Sequence, residues 1–223
     1  MNTATESHQP ARSAKSVWIG FALVLATISA IVLLARIESA GKRAVPLPVL
    51  GQIPDFTLTN QTGQVITLAS LRGKVWVADI IFTRCAGPCP QMTRRMKVLQ
   101  DALPATSAAK LVTLTTDPDF DTPPVVKAYG GKFGADFARW LFLTGAKTEI
   151  ARLAIDGLKL TTVEKKPGER ADPNDLFIHS TIFVVVDKQA RLRGVFETVG
   201  EDLIFEQVKP QLLAAVAQLE REP

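Results

Sequence analysis

The most continuous apolar stretch of the chain runs from Val17 to Ala35 without a charged side chain. That length suffices to cross a bilayer as a helix. A cleaved signal peptide would show a shorter apolar region and a small-residue cleavage site, but Arg36 and Glu38 stand where that site should lie. The pattern therefore predicts a tail over 1–16, one uncleaved transmembrane helix over 17–35 and a linker over 36–50. Within the linker, Ala44-Val45-Pro46-Leu47-Pro48 reads as a stiff extended spacer. Residues 51–223 have the length of one globular domain. Arg12 and Lys15 precede the apolar run and Arg36, Lys42 and Arg43 follow it, so the charge rule does not set its orientation.

Beyond the linker the pattern changes to short alternating and buried runs. Phe56–Thr59 and Gln64–Leu68 flank a Gly63-containing turn, a hairpin signal. Val75 to Phe82 is nearly all apolar, as a strand buried on both faces should be. Pro90 then suits a first helical position, and Met92, Met96, Leu99 and Leu103 fall at helical spacing, a core-facing stripe. Lys110–Thr116 predicts a second buried strand. Thr122-Pro123 opens a helix that Gly130-Gly131 weakens, and Leu141–Leu143 is a short strand. Thr148 is placed to cap a helix through Leu153 towards Gly157, and the polar stretch Thr162–Asp175 reads as a long mobile excursion. Thr181–Asp187 and Arg191–Glu197 form a second hairpin, and a helix from about Glu201 to Leu219, interrupted at Pro210, closes the chain. This order predicts an α/β fold, a thioredoxin-like mixed sheet flanked by helices. Open α/β sheets present their sites at the carboxyl ends of central strands.

Composition narrows the chemistry. The net charge of +4 is spread along the chain, which leaves no footprint for nucleic-acid binding. Only two cysteines occur in 223 residues, Cys85 and Cys89, four positions apart where the first buried strand gives way to a helix. A disulfide closing so short a loop recovers little chain entropy, so soft-metal binding or reversible thiol chemistry is the better account, against two unrelated buried thiols. Pro90 disfavours helical backbone at Cys89, which puts Cys89 at the helix entrance and Cys85 in the loop before it. The positive end of the helix, with Arg84, Arg94 and Arg95 near it, should populate thiolate, although a solvated helix face accounts equally for the last two. Of the two histidines, His8 lies in the tail and His179 stands just before the strand at Thr181. In a thioredoxin-like sheet that strand neighbours the one delivering the cysteines. Cys85, Cys89 and His179 thus form an S2N set that suits trigonal Cu(I), with Cu(II) as the second oxidation state, while Zn(II) would want a fourth ligand. Such thiol chemistry is useful in an extracytoplasmic compartment, which favours an exported, periplasmic domain held at the inner membrane.

Asp117-x-Asp119-x-Asp121 resembles the start of a calcium loop, but its sixth position is Thr122 and its twelfth Ala128, which leaves turn and cap chemistry. Gly130-Gly131-x-x-Gly134 does not follow a strand, as a dinucleotide fingerprint must.

The domain resembles the Sco/SenC copper chaperones along most of its length. The resemblance rests on Gly73-Lys74-Val75-Trp76-Val77, on Phe82-Thr83-x-Cys85-x-x-x-Cys89-Pro90, on Thr116-Asp117-Pro118-x-x-Asp121-Thr122-Pro123, on Phe142-Leu143-Thr144-Gly145 and on His179-Ser180 before a strand ending at Asp187. It implies that Cys85, Cys89 and His179 are copper ligands and that copper passes to the CuA centre of cytochrome c oxidase subunit II or another copper or thiol acceptor. It also admits a thiol reductant. Asp79 lies six residues before Cys85, as the buried proton-relaying acid of thioredoxins does, so an extracytoplasmic thiol:disulfide oxidoreductase using Cys85, Cys89 and Asp79 is the alternative. A carboxylate in a buried strand needs either a raised pKa or a basic partner. The proline that thioredoxin-type oxidoreductases carry in cis is absent from His179-Ser180-Thr181, a departure that favours metal binding.

Overall fold

The computed structural model describes residues 14–41, 45–171, 174, 176–200 and 205–223, with side chains of the first segment described from Trp18 to Leu34. The tail with His8 and Arg12, the spacer residue Ala44 with Lys42 and Arg43, Asp175 and the helix start at Glu201 lie outside the described residues.

Helix α1 (Ala14–Gly41) precedes a compact unit that begins at Pro46. Its described side chains are all exposed, among them Trp18, Phe21, Leu25 and Leu33. The transmembrane helix expected over 17–35 is not shown. Among the described residues no helix is long and apolar enough to cross a membrane.

The compact unit runs β1 (Gly51–Gln52), β2 (Thr57–Asn60), β3 (Val65–Thr67), α2 (Leu68–Leu71), β4 (Trp76–Ile81), α3 (Cys89–Ala102), β5 (Lys110–Thr115), α4 (Pro123–Lys132) and β6 (Trp140–Thr144). It continues with α5 (Lys147–Arg152), a π turn at Leu153–Gly157, β7 (Thr162–Glu164), β8 (Phe177–His179), β9 (Ile182–Val186), β10 (Arg191–Glu197) and α6 (Phe205–Arg221). Eight strands form one sheet in the order β1-β10-β9-β4-β5-β6-β2-β3, parallel across β4-β5-β6 and antiparallel elsewhere. The mixed α/β sheet is as expected.

Strand periodicity sorts the core into two layers. Val77 and Ile81 of β4, with Leu111 and Phe142, face α3, α4 and α6, where Met92, Met96 and Leu99 meet Val126, Leu212 and Val216. Trp76, Ala78 and Ile80 face the other way, against Leu68, Leu71, Ile150 and Leu153. Asp79 shares the parity of Val77 and Ile81, so its carboxyl lies on the α3 side. The Met92–Leu103 stripe is buried throughout, as its spacing predicted.

Four expectations change. Cys89 stands at the helix entrance as expected, but it, and not Pro90, is the first residue of α3, with Pro88 as its N-cap in helical conformation (φ −73°, ψ −22°). The clash imposed by Pro90 at the preceding residue is a bias, and packing of the buried Cys89 overrides it. Ala146, not Thr148, caps α5. Pro210 does not interrupt α6: the carbonyl it leaves unpaired sits on the exposed side, while Leu212, Val216 and Leu219 are buried and hold the helix through it. The excursion after Thr162 is a hairpin, with Thr162, Val163 and Glu164 of β7 opposite His179, Ile178 and Phe177 of β8. Its exposed positions, Val163 and Ile178, are apolar and its half-buried ones include Thr162 and His179, so the usual alternation of a half-buried strand is absent.

At the β4-start end of the sheet, a buried guanidinium closes the unit. Arg193 donates to the Leu47 carbonyl (2.7 Å), to Asp187 (2.7 Å) and to Glu222 (2.8 Å), so the entering and leaving chain segments share one cation.

Candidate metal centre

β4 delivers its chain to Phe82 and then a six-residue loop, with the Cys85 amide donating to the Phe82 carbonyl (3.2 Å). That turn directs Cys85 back over the sheet, half-buried, while Ala86 and Gly87 reach solvent. Cys89 enters α3 fully buried, and Thr93 one turn on donates to its carbonyl (2.9 Å) while its hydroxyl meets Tyr129 (2.8 Å).

His179 arrives from the other end of the sequence, at the end of β8 and just before β9, the strand that pairs with β4. Its Nε2 lies 3.0 Å from the Cys89 sulfur, and its Nδ1 lies 3.1 Å from the Ser180 carbonyl. A carbonyl only accepts, so Nδ1 carries a proton, and Nε2 is the ring nitrogen turned to the Cys89 sulfur. The imidazole also stands edge-on to Phe82, with centroids 5.9 Å apart, and Phe82 in turn meets Phe177 at 5.2 Å. The two sulfurs and the ring nitrogen all lie within 4.8 Å of one another. The structure thus brings together Cys85, Cys89 and His179, and both cysteines are free thiols. A cavity of about 480 Å³ opens beside them, lined by Phe82, Cys85, Pro88, Phe177, Ile178 and His179 among others.

The two thiols are electrostatically unlike. The hydrogen bond from Cys89 holds Cys85 well below the usual thiol range, at about 4, against its partial burial and with smaller help from His179. Cys89 is pushed up, first by burial and then by the Cys85 thiolate beside it. The expectation that helix polarity would ionise the pair therefore holds for one sulfur only. Arg84 contributes nothing to this: its guanidinium turns away to Asp117 (2.5 Å) and lies 4.1 Å over the Phe120 ring. Arg95 packs 5.4 Å over Phe205, and Arg94 is exposed.

Asp79 lies beneath this group, wholly buried, with neither carboxyl oxygen in hydrogen-bond geometry. No basic side chain pairs with it among the described residues. Burial raises its pKa to about 7, partly offset by the Thr113 hydroxyl on the adjacent strand and by His179. Of the two outcomes foreseen for Asp79, the raised pKa is the one found.

Sequence patterns missed the clamp on the cysteine loop. Asp121, fully buried, accepts from the Thr83 amide (3.0 Å) and from the hydroxyls of Thr83 and Thr115. Together with the Asp117 bond to Arg84, both outer acids of the supposed calcium loop hold the turn that presents Cys85. The available signal was two acids past the end of a buried strand, beside a loop with amides to satisfy.

The SCO1/SenC family pattern matches residues 51–209, most of the chain and all of the site. The chain belongs to the SCO1/SenC family. A SCO1 protein homolog of Bacillus subtilis is 33% identical over 172 residues, covering 74% of this chain and 86% of that protein. A putative copper-binding protein of Stutzerimonas stutzeri is 28% identical over 169 residues, 75% of this chain and 79% of its own. Among solved structures, BsSco, described as a member of the Sco family of cytochrome c oxidase assembly proteins and as holding a disulfide switch, superposes with a TM-score of 0.64 at 30% identity. That match covers 78% of this chain and 99% of BsSco, and it makes the fold of this family member the thioredoxin-like one foreseen from element order.

Proposed function

We propose that this family member is a copper carrier: Cys85, Cys89 and His179 hold Cu(I) as three ligands and pass it by ligand exchange to a protein acceptor, the CuA site of cytochrome c oxidase subunit II. The observation that carries this is the convergence of two sulfurs and an imidazole nitrogen, from segments 90 residues apart, within 4.8 Å. Two soft donors and one borderline donor match Cu(I), and a half-exposed Cys85 leaves one ligand that an incoming thiol can displace. The names of the Stutzerimonas relative and of BsSco support copper as cargo and oxidase assembly as setting. The exposed apolar side chains of α1 support attachment to a membrane, with the domain on the extracytoplasmic side where a reactive dithiol escapes cytosolic reductants.

The test is a competition titration of the reduced full chain in detergent against a chromophoric Cu(I) chelator. One copper per chain is expected, with large affinity losses in Cys85→Ser, Cys89→Ser and His179→Ala. A His179→Ala protein that binds as the parent does would remove histidine from the site and with it the three-ligand carrier.

A second reading has its own observation. The ionised Cys85, the protonated Cys89 behind it and the unpaired Asp79 carboxyl below form a nucleophile, a resolving thiol and a proton acceptor for disulfide exchange with a partner protein. Turnover of a protein disulfide by the reduced chain, lost in Asp79→Asn with copper affinity retained, separates this activity from the carrier role.

A further inference from the structure

Among the described residues, β7 and β8 form a two-stranded ribbon with no ladder to the eight-stranded sheet. His179 rides on that ribbon, so whatever fixes the ribbon sets the reach of the imidazole. At the base, Thr161 and Ser180 exchange two hydrogen bonds: the Thr161 amide donates to the Ser180 hydroxyl (2.7 Å) and the Ser180 amide to the Thr161 carbonyl (2.9 Å). That pair forms a hinge line and leaves the arms free to tilt about it. On the inner face Phe177 is buried against Phe82. On the outer flank the fastening is ionic. Lys147, the first residue of α5, places its Nζ 2.6 Å from Glu164 on β7 and 5.8 Å from the Phe177 ring, and Arg170 adds a second cation at 3.8 Å from Glu164. Arg170 is itself tied within the ribbon, donating to the Lys165 carbonyl (3.2 Å). Of the two cations on Glu164 among the described residues, only Lys147 therefore comes from outside the ribbon.

We propose that Lys147 and Glu164 are positioning residues: their ion pair latches the ribbon to α5 and so holds His179 Nε2 against the cysteine sulfurs. This rests on the carrier reading. The latch is half-exposed at both ends, 53% and 52%, so salt screens it. Ionic strength and any charged surface approaching α5 thereby act on the nitrogen ligand and leave the sulfurs untouched. An acceptor bearing charge near Lys147 loosens the histidine as it docks.

The experiment measures Cu(I) affinity of the reduced full chain against a chromophoric chelator at low and high salt, in parallel with Lys147→Met, Lys147→Arg, Glu164→Gln and each neutral variant combined with His179→Ala. Lys147→Met and Glu164→Gln should weaken binding about 2- to 5-fold at low salt, the range of an exposed pair, and high salt should erase their difference from the parent. Lys147→Arg should bind as the parent does. In the His179→Ala background the latch variants should add nothing, because an effect that runs only through the imidazole vanishes with it. Equal further losses in that background, or parent-like affinity of both neutral variants at low salt, would overturn the latch. If the parent itself binds no Cu(I), the carrier reading fails instead, and the two failures are distinct.

Discussion

Replacing Asp79 by Asn should change the pH dependence of stability in a direction the buried carboxyl dictates. The folded chain holds this proton up to about pH 7, against 3.8 for a free aspartate. Below about pH 4 both folded and unfolded chains carry the proton, and it costs nothing. Between about 4 and 7 the unfolded chain releases it and the folded chain does not, so stability falls as pH rises, by about 1.4 kcal/mol per unit, and levels off above 7. The whole loss amounts to ~4 kcal/mol, a large fraction of the stability of an ordinary domain. Asn keeps the shape and cannot ionise. Urea unfolding of the reduced, metal-free full chain in detergent, at pH 4 to 8, should show the variant gaining on the parent by ~4 kcal/mol across that span. The offset between the two at pH 4 reads the amide against the neutral acid, and the titration of Cys85 is common to both, so the change in their difference isolates Asp79. Stability profiles that run parallel to within ~1 kcal/mol would mean that Asp79 is ionised in the fold with a partner, and the reasoning from burial would fail.

Alkylation of the reduced chain should reach half its limiting rate near pH 4 and stop at one thiol at neutral pH, Cys85, since Cys89 is held protonated; a midpoint near the ordinary thiol value, or equal labelling of both, would contradict the asymmetry. Asp121→Ala leaves the Thr83 amide, the half-buried Thr83 hydroxyl and the buried Thr115 hydroxyl without their acceptor, so chemical unfolding should show a loss of about 3 kcal/mol, and a change under ~1 kcal/mol would show the clamp to be idle. Oxidation to a Cys85–Cys89 disulfide should abolish copper uptake, because the same sulfur lone pairs cannot serve both bonds; unchanged stoichiometry after verified bridging would separate the thiols from the metal.

The fold was legible wherever one physical signal dominated. Val75–Phe82 could be read as a buried central strand because every position from Trp76 to Ile81 is in fact inside, and the Met92–Leu103 spacing named the α3 face before any neighbour was known. The meeting of Cys85, Cys89 and His179 followed from topology, because β9 lies beside β4 and its approach ends where β4 delivers its loop. What remained hidden depends on long-range pairing. The role of Asp121 needs Thr83, 38 positions away, and a pattern scan of its own neighbourhood finds only a failed calcium loop. The ribbon that carries His179 escaped for the same reason: Val163 and Ile178 are exposed, so no alternation marked them as strands. The sense of the cysteine asymmetry also lay beyond sequence, since helix polarity acts on both sulfurs and burial decides between them.

The Arg193 closure has a practical consequence for how the molecule can be handled. Leu192 is level with Val186, and Val186 with Trp76, so the chain enters and leaves at the start of β4, whereas Cys85 follows its end. The length of β4 puts about 20 Å of sheet between the two ends. A fusion partner, a fluorophore or an immobilising surface joined ahead of residue 46 therefore leaves the thiol-bearing end facing outward and free to meet another protein. The opposite terminus is a poor place for such a handle. Its last carbonyls accept from Lys188 and Gln189 and the Glu222 carboxylate is bound by Arg193, so a C-terminal tag competes with the contacts that hold the domain's own edge together.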